Sequence, residues 1–418
     1  MGNLWSSQDD YDDDNGWKSD ARYAMEAGIS CVICGSPFDI EGEVYHVDPK
    51  DARYQWLRDV RLLAQSDDLN VHRITSGDSE PINMSDTVDI FLSEKADFNI
   101  ASRGSFRLWN RTQMDDIWYN PLCYSPDATG TLFPLHEACI EISCRAIEHL
   151  RLQKNYSPSK PPLWTLYHFL NNRFLHRHTR VRAYSDTAND IFDLCHRSRS
   201  YGPQSVLALA RVEWWGGHFD KFYSNPLDVP GLDSFVFDVL AASTQERTVH
   251  SKQLMVVARE AHGIETLPVE ILDAICRFLP AQSVIKLHRT SRTMAVKLQL
   301  DNAFWRDSLR TGCLHAHLWD LDTRKIEALR QESNIIFSTM DWNWKSAAKL
   351  LATKKVPHSE RDPRLDNMPL GLWNRCRIWA TIERALHLDH LERKSEIGPT
   401  AVLSAGLYRT SNSDITTQ

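Results

Sequence analysis

Long apolar runs are missing from this sequence of 418 residues, and so are the familiar motifs of enzymes. No stretch reaches the roughly 18 to 20 apolar residues that a transmembrane helix needs, and no secretory signal is evident. There is also no glycine-rich phosphate loop, dinucleotide fingerprint, serine elbow or HExxH zinc motif. We therefore expect a non-catalytic, intracellular protein, cytoplasmic or nuclear, that does not act at a membrane.

Basic residues are in the minority, because 48 lysines and arginines face 55 aspartates and glutamates, for a net charge of −7. This balance argues against nucleic acid as a partner, and we interpret the basic stretch at 173–182 as solvated surface. The nine cysteines are too few for a disulfide scaffold and favour a reducing compartment. With 42% apolar and 25% charged residues, the composition is that of an ordinary globular protein.

Two cysteines are spaced for metal binding, Cys31 and Cys34, and a glycine follows them. Two thiolates separated by two residues can ligate one metal from a tight turn, and glycine permits the backbone of such a turn. Far downstream, His136 and Cys139 follow a proline at the start of a periodic segment, where helical spacing puts both on one face of a first turn. The four residues look like a treble-clef module that holds one structural zinc ion.

Several alternatives to this zinc site stay open. The 101 residues between Cys34 and His136 exceed the spacing of compact treble clefs, so we expect an insertion without sustained periodicity at about 65–105. A buried cysteine pair beside an unrelated helix, a redox pair and a zinc-dependent enzyme are the competing interpretations. The enzyme is disfavoured because Ile140 stands where HExxH needs its second histidine. The residues that can replace a ligand are Cys144, Cys123 and His46.

Residues 264–309 carry cues for three helices in close succession. Pro268 suits a first helical turn, and Pro280 ends that helix. A second helix is predicted from about Ser283, and a third from about Ser291 until Asp301-Asn302 breaks it. The apolar residues that share one face of the first helix are Ile271, Leu272, Ile275, Phe278 and Leu279.

This segment resembles the F-box, the module that ties a substrate receptor to the Skp adaptor of cullin ubiquitin ligases. The residues that carry the resemblance are Leu267-Pro268, Glu270-Ile271, Leu279-Pro280, Ser291-Arg292 and Phe304-Trp305-Arg306. The resemblance implies a receptor that binds an unidentified protein substrate for ubiquitination and reaches the cullin through the adaptor. It also implies that the adaptor-facing surface includes Leu267, Pro268, Ile271, Leu279, Leu287 and Trp305.

Two other interpretations of this segment remain. One is an ordinary helical stretch whose apolar face packs into its own domain. The other is a zinc-stabilised interaction protein that binds the Skp adaptor without recruiting a cullin. The sequence does not separate the last interpretation from a ligase receptor, whereas co-purification of the cullin does.

The rest of the chain predicts a mainly α fold, in which the helical F-box and helical flanks adjoin a small α+β treble-clef-like zinc module. Helices are predicted at 163–175, 204–215, 235–242, 252–261, 323–337, 341–352 and 372–388. The predicted regions are a disordered acidic leader at 1–25, the zinc module at 26–150, a mixed helical middle at 151–263, the F-box at 264–309, a helical region at 310–393 and a disordered tail at 394–418.

Tryptophan is abundant, at 14 residues, and four of them lie in the segment 323–388: Trp342, Trp344, Trp373 and Trp379. We expect these side chains to pack in a core, with aromatic anchoring of a partner as the alternative. The order of CxxC, HxxC, central F-box and tryptophan-rich end is similar to that of a set of fungal F-box proteins. In that family the region after the F-box usually carries the substrate reader, which favours residues 323–388.

Overall fold

The computed structural model describes residues 31–36, 38, 50–69, 71–74, 90–99, 105–110, 115–119, 130–154, 160–179, 219–243, 262–333, 342–353, 362–383 and 385–386. Several expectations fall outside these ranges: the leader at 1–25, the helices at 204–215 and 252–261, the tail at 394–418, and the alternative ligands His46 and Cys123. Of the helices described, none has both the length and the apolar composition of a membrane span.

An antiparallel sheet of six strands occupies the N-terminal part of the described chain. The strands are β1 (Val60–Gln65), β2 (Arg73–Ile74), β3 (Ile90–Asn99), β4 (Ser105–Asn110), β5 (Asp115–Tyr119) and β6 (Phe133–His136). Their order in the sheet is β2-β5-β4-β3-β1-β6, and every neighbouring pair is antiparallel. Phe106 on β4 lies opposite Phe98 on one side and Tyr119 on the other, which places aromatic side chains across three strands.

The prediction of a mainly α fold is wrong, because this sheet makes the protein α+β. The predicted insertion at about 65–105 contains β3, the longest strand, which pairs with β1 over most of its length. The strand pattern is weak in the sequence because Glu94 and Lys95 stand side by side in β3. A register shift between Arg61 and Leu63 also interrupts the alternation in β1.

Eleven helices of the described chain follow or surround the sheet. They are α1 (Glu137–Lys154), α2 (Pro162–Thr179), α3 (Phe219–Tyr223), α4 (Leu232–Ser243), α5 (Val269–Arg277), α6 (Ala281–His288), α7 (Arg292–Lys297), α8 (Asn302–Arg310), α9 (Thr323–Glu332), α10 (Trp344–Leu350) and α11 (370–383). The predicted helices at 163–175, 235–242, 323–337, 341–352 and 372–388 correspond to α2, α4, α9, α10 and α11, and α9 and α10 are shorter than predicted.

The segment 264–309 contains four helices, α5 to α8, where three were predicted. Ser291 caps α7 as expected, since its side chain accepts a hydrogen bond from the Met294 backbone N–H. Asp301 was predicted to break the third helix, but it begins a fourth by accepting from the Phe304 N–H at 2.8 Å. Trp305 therefore lies on a helix of its own, α8.

One continuous hydrophobic core joins the sheet to the C-terminal helices, and it extends from Cys31 to Ala385 along the chain. The four tryptophans of the segment 323–388 are buried in it, so their core packing is confirmed and they do not form exposed anchors: Trp342, Trp344, Trp373 and Trp379. The helix α11 lies at the centre of this core, with residues 371–382 all buried. The N-terminal and C-terminal regions therefore stabilise one another.

Candidate metal centre

The CxxC segment forms a tight turn that is held by its own backbone. The Gly35 N–H donates to the Cys31 carbonyl at 2.7 Å, and the Cys31 N–H donates to the Ser36 carbonyl at 2.9 Å. Gly35 has a φ of 74°, a left-handed conformation that a glycine adopts without a steric penalty. The Ser36 N–H also points at the Cys34 sulfur, 3.4 Å away. The turn thus holds both thiols toward one side.

The second pair of ligands stands where a strand meets a helix, and this differs from the prediction. His136 is the last residue of β6, whereas Cys139 lies in the first turn of α1. Pro134, which the prediction placed just before the helix, lies in β6, and β6 pairs with β1 and with no other strand of the described residues. Proline lacks a backbone N–H, and an edge strand tolerates this missing hydrogen-bond donor. The junction is fixed by the Glu137 N–H, which donates to the Asp59 carbonyl at 2.7 Å.

The four predicted ligands come together in space. One ligand atom from each of Cys31, Cys34, His136 and Cys139 lies within 4.8 Å of the others, and all four residues are buried. The Sγ atom of Cys34 is 3.3 Å from Nδ1 of His136. Around a tetrahedral zinc ion with Zn–S bonds of about 2.3 Å, neighbouring sulfur atoms are about 3.8 Å apart. The cluster therefore has the dimensions and the donor set of a metal site.

The electrostatics of the cluster favour a thiolate at Cys34. Burial by itself raises the pKa of this thiol, but hydrogen bonds from Cys139 and Cys31 and the charge of His136 hold the pKa well below its ordinary value. Burial lowers the pKa of His136, whereas the negative charge of Cys34 raises it to about 10. Burial and the hydrogen bonds to its two partner cysteines raise the pKa of Cys139. A thiolate is the form in which cysteine binds metal.

Aromatic rings and one arginine surround the cluster. The ring centroids of Phe38 and Trp56 each lie 4.9 Å from that of His136, which keeps water from the imidazole. Behind the CxxC turn, Nη1 of Arg377 donates to the Cys34 carbonyl at 2.8 Å. Sequence reasoning did not assign Arg377 to the site. The sequence offers only two arginines, Arg375 and Arg377, within a largely apolar helix, and that signal does not say what either charge contacts.

The competing ligand that the structure describes lies apart from the cluster. Cys144 is on α1, partly exposed, and is not among the residues that converge. Among the described residues, the four-residue cluster is the only group of three or more histidine, cysteine or acidic side chains arranged for a metal. Four protein donors close a tetrahedral coordination shell, which is the arrangement of structural rather than catalytic sites.

The residues predicted to face an adaptor have unequal exposure. Ile271 and Leu279 are 49% and 36% exposed, and Pro268 is exposed too. Leu267 and Leu287 are partly buried against a small cluster inside the segment. Trp305 is only 6% exposed and belongs to the main core. Five of the six residues thus reach the surface, and the tryptophan contributes to packing. Sequence reasoning did not assign Phe278 to this surface, although it is 89% exposed.

No protein-family model, no curated protein and no solved structure matches this chain.

Proposed function

We propose that this protein is the substrate receptor of a cullin-type ubiquitin ligase, that residues 264–309 are an F-box that docks on the Skp adaptor, and that the four-residue cluster holds a structural zinc ion. The observation that supports the receptor is a set of exposed apolar side chains within the 264–309 segment. Its members are Ile264, Val269, Ile271, Phe278, Leu279 and Val296. So many exposed apolar side chains within one short segment are typical of a binding surface.

The segment does not need this surface for its own packing. Leu272, Met294 and Leu298 are buried together and form an internal cluster for α5 to α7. Nζ of Lys297 donates to the carbonyls of Glu265 and Leu267, at 2.7 and 2.8 Å, and so ties α7 to the chain that precedes α5. With its inner face satisfied, the segment presents its outer apolar side chains to solvent. They are therefore available to a partner.

The fourth helix of the segment, α8, attaches this surface to the rest of the protein. Leu309 and Trp305 on α8 pack in the main core, and Nε1 of Trp305 donates to the Leu300 carbonyl at 3.1 Å. α8 also packs against α10. A receptor has to hold its substrate at a fixed position relative to the ligase, and a docking segment anchored in the core supports that requirement.

Zinc is the metal that suits the cluster best. Three thiolates and one imidazole are soft and borderline ligands that favour zinc over magnesium or calcium. Bound there, zinc would join the CxxC turn to the β6–α1 junction, and Cys31, Cys34, His136 and Cys139 would hold it. The ion contributes folding free energy at such a site, since the four ligands converge only in the folded chain.

The receptor proposal is tested by measuring the affinity of the purified protein for the Skp adaptor. Burying the exposed parts of Ile271 and Phe278 contributes about 1 and about 2 kcal/mol, so Ile271→Ala with Phe278→Ala should weaken binding about 100-fold. Leu152→Ala is the matched control, because Leu152 is an exposed leucine on α1 outside the segment.

Two outcomes decide between the interpretations. If the folded double variant binds the adaptor as tightly as the unmodified protein, residues 264–309 are not an F-box. If the adaptor binds but the cullin does not join the complex, the protein is an adaptor-binding protein without a ligase role.

A further inference from the structure

Two arginines on α11, Arg375 and Arg377, are fully buried, and their surroundings differ. Arg375 forms a bidentate pair with the Asp320 carboxylate at 2.6 and 2.7 Å. Arg377 has no carboxylate partner among the described residues. Its guanidinium donates to the Cys34 carbonyl at 2.8 Å and to Oδ1 of Asn374 at 3.1 and 2.9 Å. All of these acceptors are neutral, so the charge of Arg377 lacks a counter-ion among its hydrogen-bond partners.

A buried charge without compensation is strongly unfavourable, and a native fold normally supplies an opposite charge nearby. Within the described part of the chain, the hydrogen bond to the Cys34 carbonyl places the guanidinium beside the metal cluster, whose thiolates are negatively charged. A divalent ion bound by three thiolates and one neutral imidazole carries a net charge of −1. The guanidinium of Arg377 contacts the backbone of one ligand of this cluster, so the two charges are neighbours in a water-excluded interior.

The position of the guanidinium is fixed from the other side. Asn374 accepts two hydrogen bonds from Arg377 through Oδ1, while its Nδ2 donates to the Ser224 carbonyl at 2.9 Å. The ring of Phe222 lies 5.2 Å from Cζ of Arg377. These contacts fix the orientation of both side chains on α11, as is usual for residues that orient a metal ligand.

We propose that Arg377 is the counter-cation of the metal centre and the positioning residue of its CxxC turn. This inference rests on the proposed zinc site. Its guanidinium balances the charge of the thiolate-bound ion and holds the Cys34 carbonyl, so that α11 completes a centre whose ligands lie more than 230 residues earlier in the chain. The metal centre and the C-terminal helix then stabilise each other directly.

The test compares zinc affinities, measured by chelator competition, for the unmodified protein and for Arg377→Met, Arg377→Lys and Asp320→Asn. Arg377→Met removes the charge, and we expect it to weaken zinc binding about 10- to 100-fold, the usual effect of losing a residue that orients a metal ligand. Arg377→Lys keeps the charge and should retain most of the affinity. Asp320→Asn removes the counter-charge of the other buried arginine, so it controls for general destabilisation and should leave the zinc affinity unchanged.

A second measurement separates charge compensation from packing. Loss of the neighbouring cation makes thiolates more nucleophilic, so iodoacetamide should alkylate the cysteines of zinc-loaded Arg377→Met faster than those of Asp320→Asn. If Arg377→Met does not fold, Arg377→Gln provides the neutral side chain for the same comparison.

The inference is overturned if the folded neutral variant binds zinc as tightly as the unmodified protein, or if Asp320→Asn weakens binding equally. An unmodified protein that contains no zinc when purified overturns both the zinc site and this inference. Unaltered zinc content with normal affinity in the neutral variants, Arg377→Met or Arg377→Gln, overturns the inference alone.

Discussion

Removal of the metal should unfold the C-terminal helix as well as the N-terminal turn. Without its ion, the CxxC turn loses its attachment to the β6–α1 junction, and the side chains of Val32, Ile33 and Phe38 leave the main core. At about 1.5 to 3 kcal/mol for each, their exposure costs about 5 to 9 kcal/mol. The whole stability of a domain is about 5 to 15 kcal/mol. We therefore expect one cooperative loss of structure that includes α11.

The measurement is hydrogen exchange of the α11 backbone amides in Cys139→Ser and in chelator-treated protein, combined with zinc content by elemental analysis. Cys144→Ser is the matched control, because Cys144 lies on the same helix, α1, outside the cluster. We expect about one zinc per chain in the unmodified protein and in the control, and fast exchange of α11 only in Cys139→Ser. If α11 stays as protected in zinc-free protein as in the zinc-loaded protein, the two regions are not energetically coupled and the reasoning is wrong.

Three further predictions follow from single residues. Burial and the neighbouring His149 lower the pKa of His315 to about 4, whereas an unfolded histidine has a pKa near 6.5. The unfolded chain therefore binds an extra proton as the pH falls below 6.5, and the free energy of unfolding should drop by up to about 2 kcal/mol at pH 5. Thermal melts at pH 7 and pH 5 measure this difference. Asp301→Ala removes the cap of α8 and should lower the free energy of unfolding in urea by about 1 kcal/mol. The control is Gln282→Ala, which changes an exposed residue that caps no helix and should leave the free energy of unfolding unchanged. Gly371→Ala should destabilise the protein by about 1 to 3 kcal/mol, against the usual helix preference for alanine, because the new Cβ would lie 2.4 Å from the Asn225 carbonyl oxygen; a melting temperature equal to that of the unmodified protein contradicts this packing.

The residues of the four-residue cluster could be predicted from sequence because each pair is local. In CxxC and HxxC the two ligands of each pair are only three positions apart in sequence. They therefore stay close to each other in any fold that brings the two pairs together. The secondary structure around His136 could not be predicted, because Pro134 suits both a first helical turn and an edge strand. Whether Pro134 lies in a helix or a strand depends on pairing with β1, whose first residue, Val60, lies more than 70 residues upstream of Pro134.

The helices of 264–309 were predictable for a similar reason, since prolines and capping residues act within one turn. Asp301 shows the limit of these cues. Aspartate both interrupts a helix and caps the next, and the sequence at Asp301 does not say which effect dominates. The sheet was missed in part because three of its five pairings are non-local, namely those of β1 with β3, β1 with β6 and β2 with β5. β3 pairs with both β1 and β4, and β2 contributes only two residues. The alternation of apolar and polar residues in the sequence was therefore too weak to predict six strands.

Helix α11 was predicted as an amphipathic helix, yet it has no exposed polar face over residues 371–382. Hydrophobic periodicity could not predict the burial of Arg375 and Arg377, because arginine is normally a surface residue. Their burial is possible because carbonyls from distant segments accept their hydrogen bonds: those of Pro226, Leu227 and His317 for Arg375, and that of Cys34 for Arg377. A helix that binds the backbone of three separate segments can form only when all three are in place. We therefore expect the fold to be cooperative through α11. The proposed docking surface at 264–309 should share that cooperativity, because α8 anchors it in the same core.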